Sequence, residues 1–358
     1  MITLNQHREN ITKLILKTFS DEAPVQLGFA GFFPPQTTIE KEVGIEVERN
    51  MQKVAVDVQR CTDPVRNIFS KSTEKLFEPP FYNESFDFTS CDRYNVTFGK
   101  RTNPSAPDAV SMIDQTNKYI QKLRNKILRA IEIQRSQVLQ TGIVTLKNGD
   151  NIDYKRKAAS LVALTGTKVW SDSANCTPMT DIGDMAEFIR EEGLSTGNEM
   201  NVIMGKTAFA NFKASAQVKE EADFRRISRI DLGMPQFDKV TGMVFQGQFA
   251  DSDYVLNVWT YNSFYTNDAG QQTKYLAADT VIVLPEDFEG ITAYAGIPAI
   301  QRDKDNAEFP EFITPIEAEM HLNNYIDPVK KAHWFEVASA PLAIPVSIDR
   351  IGTIKTEE

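Results

Sequence analysis

Apolar residues recur at three- and four-residue steps through 109–141: Ile113, Ile120, Leu123, Ile127, Ile131, Val138 and Leu139. That spacing lines one face of an α-helix. No proline or glycine interrupts it, and Gly142 follows Thr141 where a left-handed stop is expected. The pattern predicts one rod about 45 Å long, at about 1.5 Å per residue.

Residues 37–60 carry a different period. Val43, Ile45 and Val47 alternate with Glu42, Glu46 and Glu48, and Val54, Val56 and Val58 then alternate on even numbers. The phase slips around residues 49–53, which predicts a turn or bulge between two strands. A polar stretch over 61–75 leads to the return Leu76-Phe-Glu-Pro-Pro-Phe-Tyr82. Together these predict a long two-stranded excursion. An isolated hairpin is marginal in water, so it must pack on its own domain or on another chain. Ahead of it, Ile11, Leu14, Ile15 and Phe19 mark a short helix ended by residues 21–24. Gly28-Phe-Ala-Gly-Phe-Phe-Pro-Pro35 follows, too broken to form a core alone and adhesive if left exposed.

Beyond the long helix, Asn148-Gly149 signals a small hairpin, and residues 174–178 read as loop. A mixed region covers roughly 180–320. A helix carries Met185, Phe188 and Ile189 and closes at Gly193; 202–204 is a buried strand, and 206–222 a second helix. Val255, Val258 and Trp259 open a strand pair turning near Asn267-Asp-Ala-Gly270, and 280–284 is another buried strand stopped by Pro285. Strands and helices mixed without regular alternation predict an α+β arrangement rather than a doubly wound sheet.

Composition narrows the function classes. The 358 residues suffice for two or three folded regions, with 41% hydrophobic and 25% charged residues, an ordinary globular balance. No apolar run approaches the roughly 20 residues that span a bilayer, and the first residues lack a secretory pattern, so folding in a cytoplasm is expected. The net charge of −10 argues against a protein built to grip DNA tightly. Cys61, Cys91 and Cys176 are odd in number and widely spaced, and His7, His321 and His333 are scattered. Neither a disulfide framework nor a structural zinc site is expected. The one phosphate-loop look-alike is Gly205-Lys206-Thr207, but the position that needs the first glycine is Met200. Acidic pairs such as Asp251 with Asp253, or Glu191 with Glu192, have no base or metal ligand near them in sequence. No catalytic residue, cofactor or metal is expected.

Over 118–135 the long helix also carries Lys118, Lys122, Arg124, Lys126, Arg129 and Arg135 against Glu132 alone. A solvated face, a strip facing nucleic acid and a strip facing an acidic neighbour all fit.

Taken in order, these elements resemble the lambda-like phage major capsid proteins, a branch of the fold named for phage HK97. Thr37-Thr-Ile39 with Val54-Ala-Val-Asp-Val58 resembles the family's extended loop, and Phe77-Glu-Pro-Pro-Phe-Tyr82 its return. Gln137-Val-Leu-Gln-Thr-Gly142 resembles the link from the family's spine helix into a hairpin. Asn151-Ile-Asp-Tyr154, Val169-Trp170 and the segment 202–212 also have counterparts in the family, as do 275–284, 293–297 and Ser339-Ala-Pro-Leu-Ala-Ile-Pro345. No single motif carries chemistry; the strength is collinearity over some 300 residues.

The resemblance implies an HK97-like α+β subunit. It divides into an N-terminal arm (1–36), an extended β-loop (37–95) and a peripheral domain (96–178) with the spine helix 109–141. An axial domain (179–320) and a C-terminal tail (321–358) returning to the peripheral domain complete it. It implies a structural, non-enzymatic protein of the virion, assembled in the host cytoplasm as hexamers and pentamers of an icosahedral shell. The expected partners are copies of itself, separate scaffold and portal proteins, a decoration protein in some systems, and packaged double-stranded DNA held non-specifically; no membrane is involved. Phe29, Phe32 and Phe33 are expected to anchor the arm on a neighbour, and Val43, Ile45, Val47, Val54, Val56 and Val58 to form an intersubunit lap. Lys118, Lys122, Lys126 and Arg129 are the candidate inner basic face. A nanocompartment shell, another phage assembly protein, and a soluble enzyme with dispersed catalytic groups are the alternatives.

Overall fold

Every residue of the strand Thr280–Pro285 is buried, so its side chains need cover on both faces of the sheet that contains it. In the computed structural model two layers provide it. The structure describes residues 25–47, 73–89, 108–146, 151–222, 230–231, 236–251, 254–267, 269–302, 311–327 and 329–357. The helix predicted around Ile11 to Phe19 lies outside them.

Among the described residues the central sheet has eight strands. Along it run Gln236–Phe237, Met243–Asp251, Tyr254–Tyr261, Glu199–Met204, Thr280–Pro285, Gly352–Lys355 and Leu161–Ala163, with Ile230–Asp231 also paired to Met243–Asp251. Two of its pairings are parallel, Tyr254–Tyr261 with Glu199–Met204 and Gly352–Lys355 with Leu161–Ala163; the others are antiparallel. Alternation sorts the side chains. Met200, Val202, Met204, Leu256, Val258, Val281, Val283 and Ile354 face one core, closed by helix α2 (Pro178–Glu192) and the pair α3 (Lys206–Ala214) and α4 (Ala216–Ala222). Ile203, Tyr261, Ile282 and Leu284 face the other, closed by the long helix and the segment around Phe29 and Phe33. The predicted long helix runs Asp108–Thr141; it is α1, the spine helix. It stops where the glycine was read: Gly142 has φ +74° and its N–H donates to Val138 O at 2.9 Å. The predicted hairpin follows as Ile143–Thr145 against Asn151–Asp153.

Two sequence expectations are corrected. The single helix over 206–222 is broken at Ser215, whose backbone is extended (φ −62°, ψ 146°) and whose Oγ accepts Val218 N–H at 3.2 Å. A buried serine that caps a new helix competes with helix continuation, which hydrophobic spacing alone does not register. The strand opened by Val255, Val258 and Trp259 pairs backwards onto Met243–Asp251, with a bulge between Phe245 and Gly247. The turn at Asn267 to Gly270 closes a separate short pair, Phe264–Thr266 with Gln272–Lys274.

Strands of the tail join three different sheets. Ala332–Ser339 lies between His321–Asp327 and Tyr82–Thr89. Pro341–Pro345 pairs with Gly290–Tyr294, which on its other side holds Pro35–Thr37 of the arm in parallel register. Gly352–Lys355 enters the central sheet between Thr280–Pro285 and Leu161–Ala163. Tyr82–Thr89 thus leaves the excursion and belongs to the tail's sheet.

The phosphate-loop look-alike is a packing feature. Gly205 N–H donates to Thr280 O at 2.9 Å, and the N–H groups of Thr207 and Ala208 both donate to Ala278 O at 2.9 Å. The amides that would cradle a phosphate at this helix start are already satisfied by the chain. A Cβ on Gly205 would lie 2.3 Å from Ala277 O and 2.5 Å from Ala278 O. Gly205→Ala is therefore expected to lower stability by about 1–3 kcal/mol through overpacking. Lys206→Ala, at an exposed position, should stay within about 0.5 kcal/mol of wild type. Urea unfolding of the two variants checks both; a damaging Lys206→Ala would reopen the anion-site reading.

Candidate assembly surfaces and the node that holds them

The spine helix changes character along its length. Lys118, Tyr119, Lys122 and Arg124 are exposed, whereas Glu132, Gln134, Arg135 and Ser136 are 0%, 3%, 6% and 2% exposed. A one-sided amphipathic helix would turn those polar groups to water. Here the helix is enclosed, so each must find a protein partner. Glu132 Oε1 accepts Phe29 N–H at 2.8 Å from the arm and Tyr261 OH at 3.1 Å from the central sheet. Arg135 lies 3.4 Å from Glu132 Oε2 and donates to Thr292 Oγ1 from Nη2 at 2.9 Å; Thr292 OH in turn donates to Phe33 O at 3.1 Å. The Gln134 amide donates to Tyr82 OH at 3.0 Å and accepts Ala343 N–H at 3.2 Å from the tail. Ser136 and Gln140 both donate to Tyr275 O.

Below this node a second clamp forms. Arg156 donates to Leu139 O at 2.9 Å, Ile351 O at 2.7 Å and Ser160 O at 2.9 Å, which ties the end of the spine helix to the tail. Burial lowers its guanidinium to about 9. At the node, burial lifts the Glu132 carboxyl above its usual range, while the Phe29 N–H, the Arg135 charge and Tyr261 pull it back. The Tyr261 hydroxyl is pushed upward by its own burial and then by the Glu132 charge. Neither Glu132, read as the one acid against a basic strip, nor Arg135, read as part of that strip, belongs to a surface.

The arm residues follow from the node. Phe29 and Phe33 are both fully buried in their own subunit, Phe29 edge-on to Tyr261 at 5.0 Å and Phe33 edge-on to Phe288 at 5.8 Å. This corrects the expectation that they anchor on a neighbour. The Gly-Pro-rich segment looked incapable of a core because sequence shows neither the helix nor the sheet that receives it. Phe32 is half-buried, with its ring 6.5 Å from Phe288.

The excursion is planted at its base. Val43–Val47 pairs antiparallel with Thr73–Phe77, Val43 opposite Phe77. Both residues pack on the core shared with the spine helix, and the Phe77 ring sits 6.2 Å from Tyr154, whose hydroxyl donates to Ala343 O at 2.6 Å. Thr38 N–H donates to Tyr294 O at 2.9 Å and Gly296 N–H to Glu40 O at 2.8 Å, which fixes the outgoing strand. Ile45 and Val47 lie on the paired strand; Val54, Val56 and Val58 lie outside the described residues.

The basic face divides. Lys118 and Lys122 are exposed on the half of the helix that lies against the tail's sheet, where Tyr119 meets Phe86 and Phe88 at 5.4 and 5.9 Å. Lys126 is ion-paired with Glu84 at 2.7 Å. Arg129 is half-buried beside a small cavity near Val25. Sequence spacing could not show that Glu84, 42 residues earlier, would meet Lys126.

Among the described residues no group of His, Cys, Asp or Glu is arranged to hold a metal ion, and no helix is long and apolar enough to cross a membrane. A family model described as phage major capsid protein E matches residues 18–356. Three solved structures are similar across nearly their whole length. A candidate prophage capsid protein of E. coli CFT073 shares 17% identity at a TM-score of 0.58, covering 97% of this chain and 98% of that one. A phage-related protein of Bordetella bronchiseptica RB50 shares 10% at 0.52, covering 94% and 93%. The capsid protein of cyanophage A-1(L) shares 12% at 0.50, covering 95% of each. At these identities the likeness is one of fold. No curated protein matches the sequence.

Glu132→Ala would strand three donors in a dry site and is expected to cost about 3–5 kcal/mol in urea unfolding. Glu132→Gln keeps an acceptor for Phe29 and Tyr261 and should cost less. The raised carboxyl has a definite sign. Above its ordinary 4.5 the folded chain retains a proton that the unfolded chain has released. Its contribution to stability is therefore full below that pH and lost as pH rises through the folded-state value. Wild type should lose stability relative to Glu132→Gln between pH 4.5 and neutrality; a pH-independent difference would show that Glu132 is not the titrating group.

Proposed function

The chain belongs to the phage major capsid protein E family, and from that premise we propose that its copies close into an icosahedral head of hexamers and pentamers around double-stranded DNA. It is a structural shell subunit of a bacteriophage virion, with the α+β fold named for phage HK97. Family membership implies a structural rather than enzymatic role.

The observation that carries the assembly reading is the excursion. Its two strands pair only with each other among the described residues, and their base is rigidly seated through Val43, Phe77 and Tyr154. A two-stranded ribbon without a third strand or a covering layer is marginal alone. The cover we assign is a neighbouring subunit, lapped by Val43, Ile45, Val47, Val54, Val56 and Val58. The central sheet with α2, α3 and α4 forms the axial domain, and the spine helix with the tail's sheet forms the peripheral one. Lys118 and Lys122 form an inner face that moderates repulsion from DNA, while the net charge of −10 keeps phosphate binding weak enough for release. Separate scaffold and portal proteins, and a decoration protein where the shell carries one, complete the assembly in the host cytoplasm.

Negative-stain microscopy of the protein made alone and together with its neighbouring phage genes should show closed shells or isolated rings; monomers or dimers in both preparations would overturn the reading. Val56→Asp should abolish shells while leaving a soluble, folded subunit, whereas an unfolded subunit would place Val56 in its own core. Replacing Lys118 and Lys122 by glutamate should reduce the DNA content of purified heads at least severalfold with empty shells intact; unchanged DNA content would turn that face away from the genome.

A further inference from the structure

A free sheet edge is a template for pairing with another chain, and most edges of this subunit are blunted. Among the described residues the edge strands of the central sheet, Leu161–Ala163 and Gln236–Phe237, are three and two residues long. The strands of two small hairpins are three residues each. Pro35–Thr37 and Pro341–Pro345 begin on proline, and the pair Ile297–Arg302 with Glu311–Ile316 sets Pro298 opposite Pro315. Tyr82–Thr89 carries Glu84 and Asp87, and the excursion's strands carry Glu46, Glu74 and Lys75. His321–Asp327 is different. Among the described residues its seven positions pair on one side only, with Ala332–Ser339. From Leu322 to Ile326 it holds neither proline nor charge. Leu322 and Tyr325 are 47% and 42% exposed, and alternation puts them on opposite faces.

The order of residues along this strand fits a second copy of itself. Laid antiparallel with the two Asn324 residues opposite each other, it sets His321 against Asp327 at both ends. Leu322 then falls opposite Ile326, and Asn323 opposite Tyr325. Any shift of register separates His321 from Asp327. The strand is also held ready. Asp327 Oδ1 accepts the N–H groups of Val329 at 2.9 Å and Lys330 at 3.1 Å, which fixes the acidic end. The Tyr325 ring stacks beside Trp334 at 6.4 Å, and its hydroxyl donates to Glu336 Oε1 at 3.0 Å. Side chains ordered in advance lose less entropy on pairing.

We propose that His321–Asp327 is a two-fold pairing edge. Two copies join antiparallel through it, about an axis between their Asn324 residues, and two three-stranded sheets become one continuous sheet. The pairing itself needs two copies and no shell. On the shell reading it joins one ring to the next, because the contact repeated around a ring is heterologous.

Asn324→Cys in the full-length protein tests the register. The two-fold brings the two introduced thiols together, with Cα atoms about 4.5–5.5 Å apart, within disulfide reach. Leu322→Cys is the control, because its two copies would lie about 13 Å apart along the strands. After mild oxidation of the largest species the protein forms, mass spectrometry should find the 324–324 disulfide between chains and no 322–322 disulfide. Both disulfides together, or no 324–324 disulfide, overturn the proposal. His321→Glu sets carboxylate against carboxylate, and added to Asn324→Cys it should lower the yield about fivefold; an unchanged yield also overturns it. Closed shells without the disulfide would sink this contact alone. A cross-linked dimer without shells would keep the contact and sink the shell reading.

Discussion

A carboxylate and a guanidinium meet in a dry place on the spine helix, and much of the subunit is arranged so that neither is left unsatisfied. Beyond the contact between them, Glu132 and Arg135 make four further hydrogen bonds, to the arm, the central sheet and the strand that pairs with the tail. A buried ion pair is weak evidence for stability, because desolvation offsets attraction. Its effect here is on uniqueness. An apolar helix face would accept an arm or a tail in several registers. A carboxylate that needs the Phe29 N–H, and a guanidinium that needs Thr292, accept one.

The same helix carries two kinds of surface in series. Its enclosed C-terminal half organises the subunit, and its exposed N-terminal half presents Lys118 and Lys122 beside the tail's sheet. The excursion leaves from the enclosed end, seated on Tyr154 and the tail. A force applied to the ribbon by a neighbouring subunit would therefore be delivered to the packed core, since Val43 and Phe77 are continuous with it. The interior is close-packed and transmits such displacements poorly absorbed.

Much of this was legible in the sequence. Periodicity located the spine helix to within a residue at its start, Gly142 located its end, alternation found the strand Val43–Val47 at the base of the excursion, and short apolar runs found both buried strands of the central sheet. The order of elements along the chain was sufficient to suggest the fold class. What stayed hidden was non-local. Nothing near Glu132 in sequence reveals that Phe29 lies 103 residues away and supplies its donor. Polar residues at enclosed helix positions look like a solvated face until the covering layers are known. The arm's phenylalanines suffered the opposite error, looking exposed because their cover arrives from residues beyond 260. Ser215 and the bulge after Phe245 turned on single backbone conformations, which hydrophobic spacing does not encode.

The placement of Gly352–Lys355 in the interior of the central sheet has a temporal meaning. Among the described residues its neighbours, Thr280–Pro285 and Leu161–Ala163, are joined only through it, so the sheet has a gap until those residues have left the ribosome. Every strand of the sheet translated earlier waits for the one that follows all the others along the chain. Domains that fold as units during synthesis do so from the N-terminus onward; this one is withheld from completion until its final strand in chain order has been made. A nascent subunit that has not yet made this strand lacks the finished sheet beneath the core that seats the ribbon. Polysomes would be spared from being knitted together by half-made copies of their own product.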